Sequence, residues 1–173
     1  MNDDANAALG RYAPPDDGEH VEVRLLNFPL QVFVKAREHH EELLREFALL
    51  ALSPPKERPG RHVPHQFLDL INTLGVKYAG LGASTDAIRD AAIARGEMTV
   101  DLTYELPRSV GPAMSEFREL LEQADQFCQD GQMLTMALAT QEREFLWWFI
   151  DEISNQADGA APSPWTGSTT PEF

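Results

Sequence analysis

The stretch KAREHHEELLREF, residues 35–47, sets His39 and His40 among Glu38, Glu41 and Glu42. Imidazoles and carboxylates together can ligate a divalent metal or relay a proton. The zinc-protease pattern His-Glu-x-x-His works because ligands four residues apart share one helical face. Here the run is His40-Glu41-Glu42-Leu43-Leu44, with leucine in the place of the second ligand. His62 and His65, in RHVPH, could join His39, His40 and Glu42, although Pro64 between them makes that pair a loop-to-helix entry. The alternative is structural: His40 half-buried on an apolar stripe and His39 solvated on its flank. No metal centre is expected, and His39, His40, Glu42, His62 and His65 are the candidates should one exist.

Other chemistry has less to stand on. The sequence contains no GxxxxGK[ST] loop, no GxGxxG after a strand and no GxSxG elbow, and Gly75, Gly80 and Gly82 lack nucleotide-binding spacing. Cys128, the single cysteine, falls beside Phe127 near an inward helix face, where a thiol serves as a small core hydrophobe. No catalytic residue and no cofactor is therefore expected. A formal charge of −14 repels phosphate backbones, which argues against nucleic acid as a partner. No apolar run approaches the roughly 18 residues that span a bilayer, and the acidic N-terminus lacks the order of a signal peptide. These features, with the lone cysteine, point to the cytoplasm and away from membranes.

Surfaces for a partner are easier to find. In EREFLWWFIDEISNQ a helical projection gathers Phe145, Leu146, Trp148, Phe149, Ile150 and Ile153 on one face, while Trp147 points nearly opposite, toward Arg143, Asp151 and Ser154. Trp147 either meets a second element of the same chain or, with Arg143, faces a partner, a second copy included. The linker SPPKERPGRH collects Lys56, Arg58, Arg61 and His62 on an otherwise acidic chain. It is either a solvated connection or an anchor for an acidic partner or for the acidic N-terminal tail. Trp165, in a segment rich in Pro, Ser and Thr, docks onto the body, meets a partner or stands as an exposed aromatic with no role.

The elements that must position these residues follow from periodicity. HVEVRLLNFP and EMTVDLTYELP alternate apolar and polar residues and predict strands over about 21–28 and 98–106; MLTMAL, 133–138, is a weaker third candidate. Helices are expected from Pro29 to about Leu52, with Phe33, Ala36, His40, Leu43, Phe47 and Leu50 as its stripe. A second follows Pro64, carrying Phe67, Leu70, Ile71, Leu74 and Tyr78. STDAIRDAAIAR forms a third, capped by Ser84 or Thr85 and closed by Gly96; a fourth covers 109–127; a fifth is capped by Thr140. Sliding the chain by 77 positions matches six of 25 residues between VRLLNFPLQVFVKAREHHEELLREF and VDLTYELPRSVGPAMSEFRELLEQA, and lays His40 on Phe117. Both copies read strand, proline, helix, a possible internal repeat.

Residues 1–19 and 158–173 read as tails, acidic and Pro/Ser/Thr-rich respectively, around one globular domain at 20–157. The fold class is α+β, with about five helices around a small sheet of two to four strands and the two strong strands expected to pair in parallel. The succession LLNFPLQVFVKAREHHEELLREFALLA, QADQFCQDGQMLTMA, EREFLWWFIDEISNQ and APSPW resembles small bacterial proteins associated with partner-switching signalling, over residues 21–165. The usual members of those systems are anti-sigma-factor kinases, their antagonists and serine phosphatases. The chain lacks the Asn-containing and Gly-rich ATP boxes of the kinases and a clear antagonist phosphorylation motif, so the resemblance implies an accessory member and carries over no functional residue. The expectation is a non-catalytic regulatory or protein-interaction module, against two rivals: a metal-assisted enzyme using His39, His40 and Glu42, and a small-ligand sensor with a pocket between the aromatic helix and the sheet.

Overall fold

A computed structural model describes residues 19–52, 82–131 and 134–170. Two strands, β1 (His20–Pro29) and β2 (Thr99–Pro107), pair antiparallel. Among the described residues four helices surround them: α1 (Leu30–Leu52), α2 (Ala83–Ala94), α3 (Val110–Gln129) and α4 (Thr140–Ala157). The helix expected after Pro64, with Phe67 to Tyr78, lies outside the described residues, as do Lys56, Arg58, Arg61, His62 and His65. The class is α+β as expected, but the strand direction corrects the parallel expectation. Leu30 N–H donates to Met98 O at 3.0 Å, so α1 leaves the sheet at the same end to which α2 returns the chain. A connection that leaves and re-enters at the same end of the strands delivers the second strand antiparallel.

Alternation holds along β2 and along β1 as far as Leu25, with Val23, Leu25 and Leu102 buried and Glu22, Arg24, Asp101, Thr103 and Glu105 exposed. Between Leu25 and Phe28 the register slips by a bulge. Asn27 takes φ 57° there, a left-handed conformation that asparagine tolerates better than most residues. The slip turns Phe28 inward. Its ring meets Phe33 and Phe145, both at 5.3 Å between centroids. Asn27 is held by its N–H on Asp101 Oδ1 (2.7 Å) and its amide on Trp165 O (2.7 Å).

The open edges of this two-stranded sheet are covered by side chains. Gln156 of α4 accepts from Arg24 N–H (2.8 Å) and donates to Arg24 O (2.9 Å), the pairing a third strand would make. Thr85 donates to Thr103 O at 2.5 Å instead of capping α2, which has no side-chain cap. Gly96, at φ 71°, closes α2 as expected, its N–H on Ile93 O at 2.9 Å. Thr140 is the first residue of α4 and not its cap; the N–H of Ala139 is satisfied by Glu142 Oε2 at 3.2 Å.

Two apolar clusters result. The first joins the inner face of the sheet to Leu30, Val32, Ala36, Phe145, Ile153 and Trp165. The second joins Leu43 and Phe47 of α1 to Leu120, Leu121, Ala124 and Cys128 of α3 and Ile150 of α4. Within the described part of the segment read as a flexible tail, Trp165 is docked on the body: it is 5% exposed, at 5.5 Å from Trp148 and 6.1 Å from Phe145. Its N–H donates to Leu26 O at 3.0 Å, and Gln141 ties Ser168 O and Thr170 O at 3.0 and 2.8 Å. The strand candidate at 133–138 is corrected too: the described residues from Leu134 to Ala139 form no strand.

Candidate functional site

The histidines part company on α1. His40 lies between Ala36, which packs in the first cluster, and Leu43, which packs in the second. Its ring meets Phe117 edge-on at 6.4 Å between centroids. These are the two positions made equivalent by the 77-residue offset, and the same offset relates Leu25 to Leu102, which are paired across the strands. The internal match therefore coincides with the local twofold of the strand pair. Burial holds the His40 imidazole below its ordinary pKa, with His39 adding to the effect and Glu41 opposing it. Burial also lowers His39, against the pull of Glu142, Asp125 and Glu42. Among the described residues no three His, Cys, Asp or Glu side chains form a group that could hold a metal ion.

Two carboxylates on α1 and α3 act as struts for the segment that follows α3. Asp125 of α3 is 6% exposed and accepts from Leu138 N–H (2.9 Å), Gln129 (2.8 Å) and Arg143 (2.7 Å). Glu46 of α1 accepts from the N–H of Leu134 (2.6 Å) and from both the N–H and the hydroxyl of Thr135 (2.7 and 2.8 Å). Charge-assisted bonds to backbone N–H groups fix a chain segment as a ladder would. The segment 134–138 is thus anchored to α1 at one end and to α3 at the other, with Leu138 buried between. Leu134 and Met136 are nevertheless 84% and 82% exposed. Sequence reasoning assigned these side chains to a strand and overlooked both struts. The signal for Asp125 was its place on the α3 stripe, four residues after Leu121 and three before Cys128.

The aromatic and basic candidates turn inward. Trp147 is half-buried against the second cluster, with the Arg118 guanidinium 5.1 Å from its ring centroid and Arg118 itself paired to Asp151 and Glu122. Arg143 spends its charge on Asp125. Trp165 is part of the first cluster. All three meet elements of their own chain. Cys128 is buried, its thiol pushed up to about 11 by burial and by the carboxylates of Asp125 and Glu46, which leaves it protonated near neutrality. Among the described residues no helix is long and apolar enough to cross a membrane. Comparison with protein-family models, with curated proteins and with solved structures finds no match to this chain.

Proposed function

We propose that this chain is a non-catalytic protein-interaction module whose contact surface is centred on Leu134 and Met136. The observation that carries the reading is their exposure on a segment pinned by Glu46 and Asp125. A loop free to move could fold two large apolar side chains away; this one is tied at both ends. Preorganised apolar side chains lose little freedom on binding and make efficient contacts. Asp130, exposed at the end of α3, and a net charge of −14 favour a partner with an apolar pocket and a basic rim. Glu46 and Asp125 are occupied in positioning, which supports the non-catalytic side of the proposal. Its setting in bacterial signalling rests on the resemblance of residues 21–165 to partner-switching proteins.

The test is affinity capture with the native chain and with L134S/M136S. The substitution should abolish recovery of the partner while thermal unfolding stays unchanged, since neither side chain is buried. A partner recovered in full by a folded L134S/M136S would contradict the proposal.

A further inference from the structure

Three helices leave a gap at the seam between the two apolar clusters. The space measures about 180 Å³ and opens to solvent on one side. Phe33 and His40 line it from α1, Phe117 and Leu121 from α3, Phe145 and Phe149 from α4. A cavity of about 150 Å³ with purely apolar walls already accepts a benzene ring. Here the walls are aromatic on every helix, which suits a flat ring in offset or edge-on contact. The imidazole of His40 is smaller than the phenyl ring at the offset-matched position, Phe117, and it brings two ring nitrogens to the wall.

The lining also has a cationic end. Arg37, one turn before His40, lies 5.5 Å from the Phe33 centroid, and Arg89 of α2 lies 4.7 Å from the same ring. Arg89 is committed to Asp86 and Asp90 at 2.7 and 3.0 Å. Arg37 reaches Glu41 only at 3.9 Å, and its side chain remains 46% exposed. A planar guanidinium in so loose a pairing is free to take a carboxylate in the bidentate geometry it prefers.

We propose that this cavity binds a small aromatic monocarboxylate, with its ring between Phe117, Phe145 and Phe149, its carboxylate on Arg37 and a hydrogen bond from His40. The site lies apart from the Leu134–Met136 segment, so it stands or falls independently of the interaction surface.

The experiment titrates benzoate, benzyl alcohol and toluene into the full chain, followed by amide and imidazole chemical shifts. Benzoate should bind at one site, shift the His40 ring resonances and bind at least ten-fold more tightly than benzyl alcohol. Arg37→Gln should remove that preference and leave the binding of benzyl alcohol unchanged. His40→Phe, which removes the imidazole donor and narrows the space, should weaken binding of benzoate more than of toluene; if it fails to fold, His40→Ala should still bind toluene while reducing the benzoate preference. Equal affinity for benzoate and toluene, or no effect of Arg37→Gln, would overturn the carboxylate assignment. No shift at millimolar probe, or shifts confined to residues away from His40 and Phe117, would overturn the site.

Discussion

Burial holds His40 neutral in the folded chain at pH values where the unfolded chain begins to take up a proton, at about 6.5. A histidine whose pKa is lowered on folding contributes fully above that value, and its contribution is lost as pH falls toward the folded pKa. His39 is shifted in the same direction and adds to the same loss. Stability measured by urea unfolding should therefore fall from about pH 8 to about pH 5.5, and fall less steeply in His40→Phe; identical slopes would contradict the burial of that ring. Asp125 contributes through its hydrogen bonds. Asp125→Ala strands the Leu138 N–H and the Arg143 guanidinium and should cost about 2–3 kcal/mol in urea unfolding. His40 was legible in the sequence because it interrupts an apolar stripe. Asp125 was passed over, although it stands on one, because a carboxylate among many on an acidic chain shows its partners only once α3 meets α4.

At the scale of elements, periodicity carries the helices α1 to α3 and both strands to within two residues of their ends, and α4 at its start. Local pattern is enough where one face is buried and the other is wet. It does not reach strand direction, which depends on where α1 and α2 leave and re-enter the sheet. Nor does it reveal the bulge at Leu26 and Asn27, since the alternation visible from Val21 to Leu25 gives no sign that one extra residue will turn Phe28 inward. The segment after residue 158 misleads for a related reason: its composition resembles that of disordered chains, yet one indole finds Phe145 and Trp148, and Glu152 accepts from Ser163 N–H at 2.9 Å. Trp165→Ala should cost at least about 3 kcal/mol, as truncation of a large buried aromatic does. Thermal unfolding of that variant, compared with Leu134→Ala at an exposed position, separates a docked segment from a free tail. A substitution that bears on the backbone alone is Gly96→Ala, where φ 71° strains any other residue; about 1 kcal/mol of destabilisation is expected by urea unfolding.

For the whole molecule, the described residues form a sheet and four helices that consume their own conspicuous side chains. Trp147, Arg143 and Trp165, the residues whose types most suggested a partner, are bound within the chain, and the two most exposed large apolar side chains among the described residues, Leu134 and Met136, belong to the segment between α3 and α4 that Glu46 and Asp125 hold in place. A net charge of −14 should make association with a basic-rimmed partner fast at low ionic strength and slower as salt screens it. The central claim is that contact occurs through Leu134 and Met136. A photo-crosslinking residue placed at position 136, with the same residue at exposed Glu119 of α3 as control, tests it in cell extract. One discrete adduct is expected from position 136 and none from position 119; equal labelling from the two positions, or no adduct from position 136, would rule out contact through Leu134 and Met136.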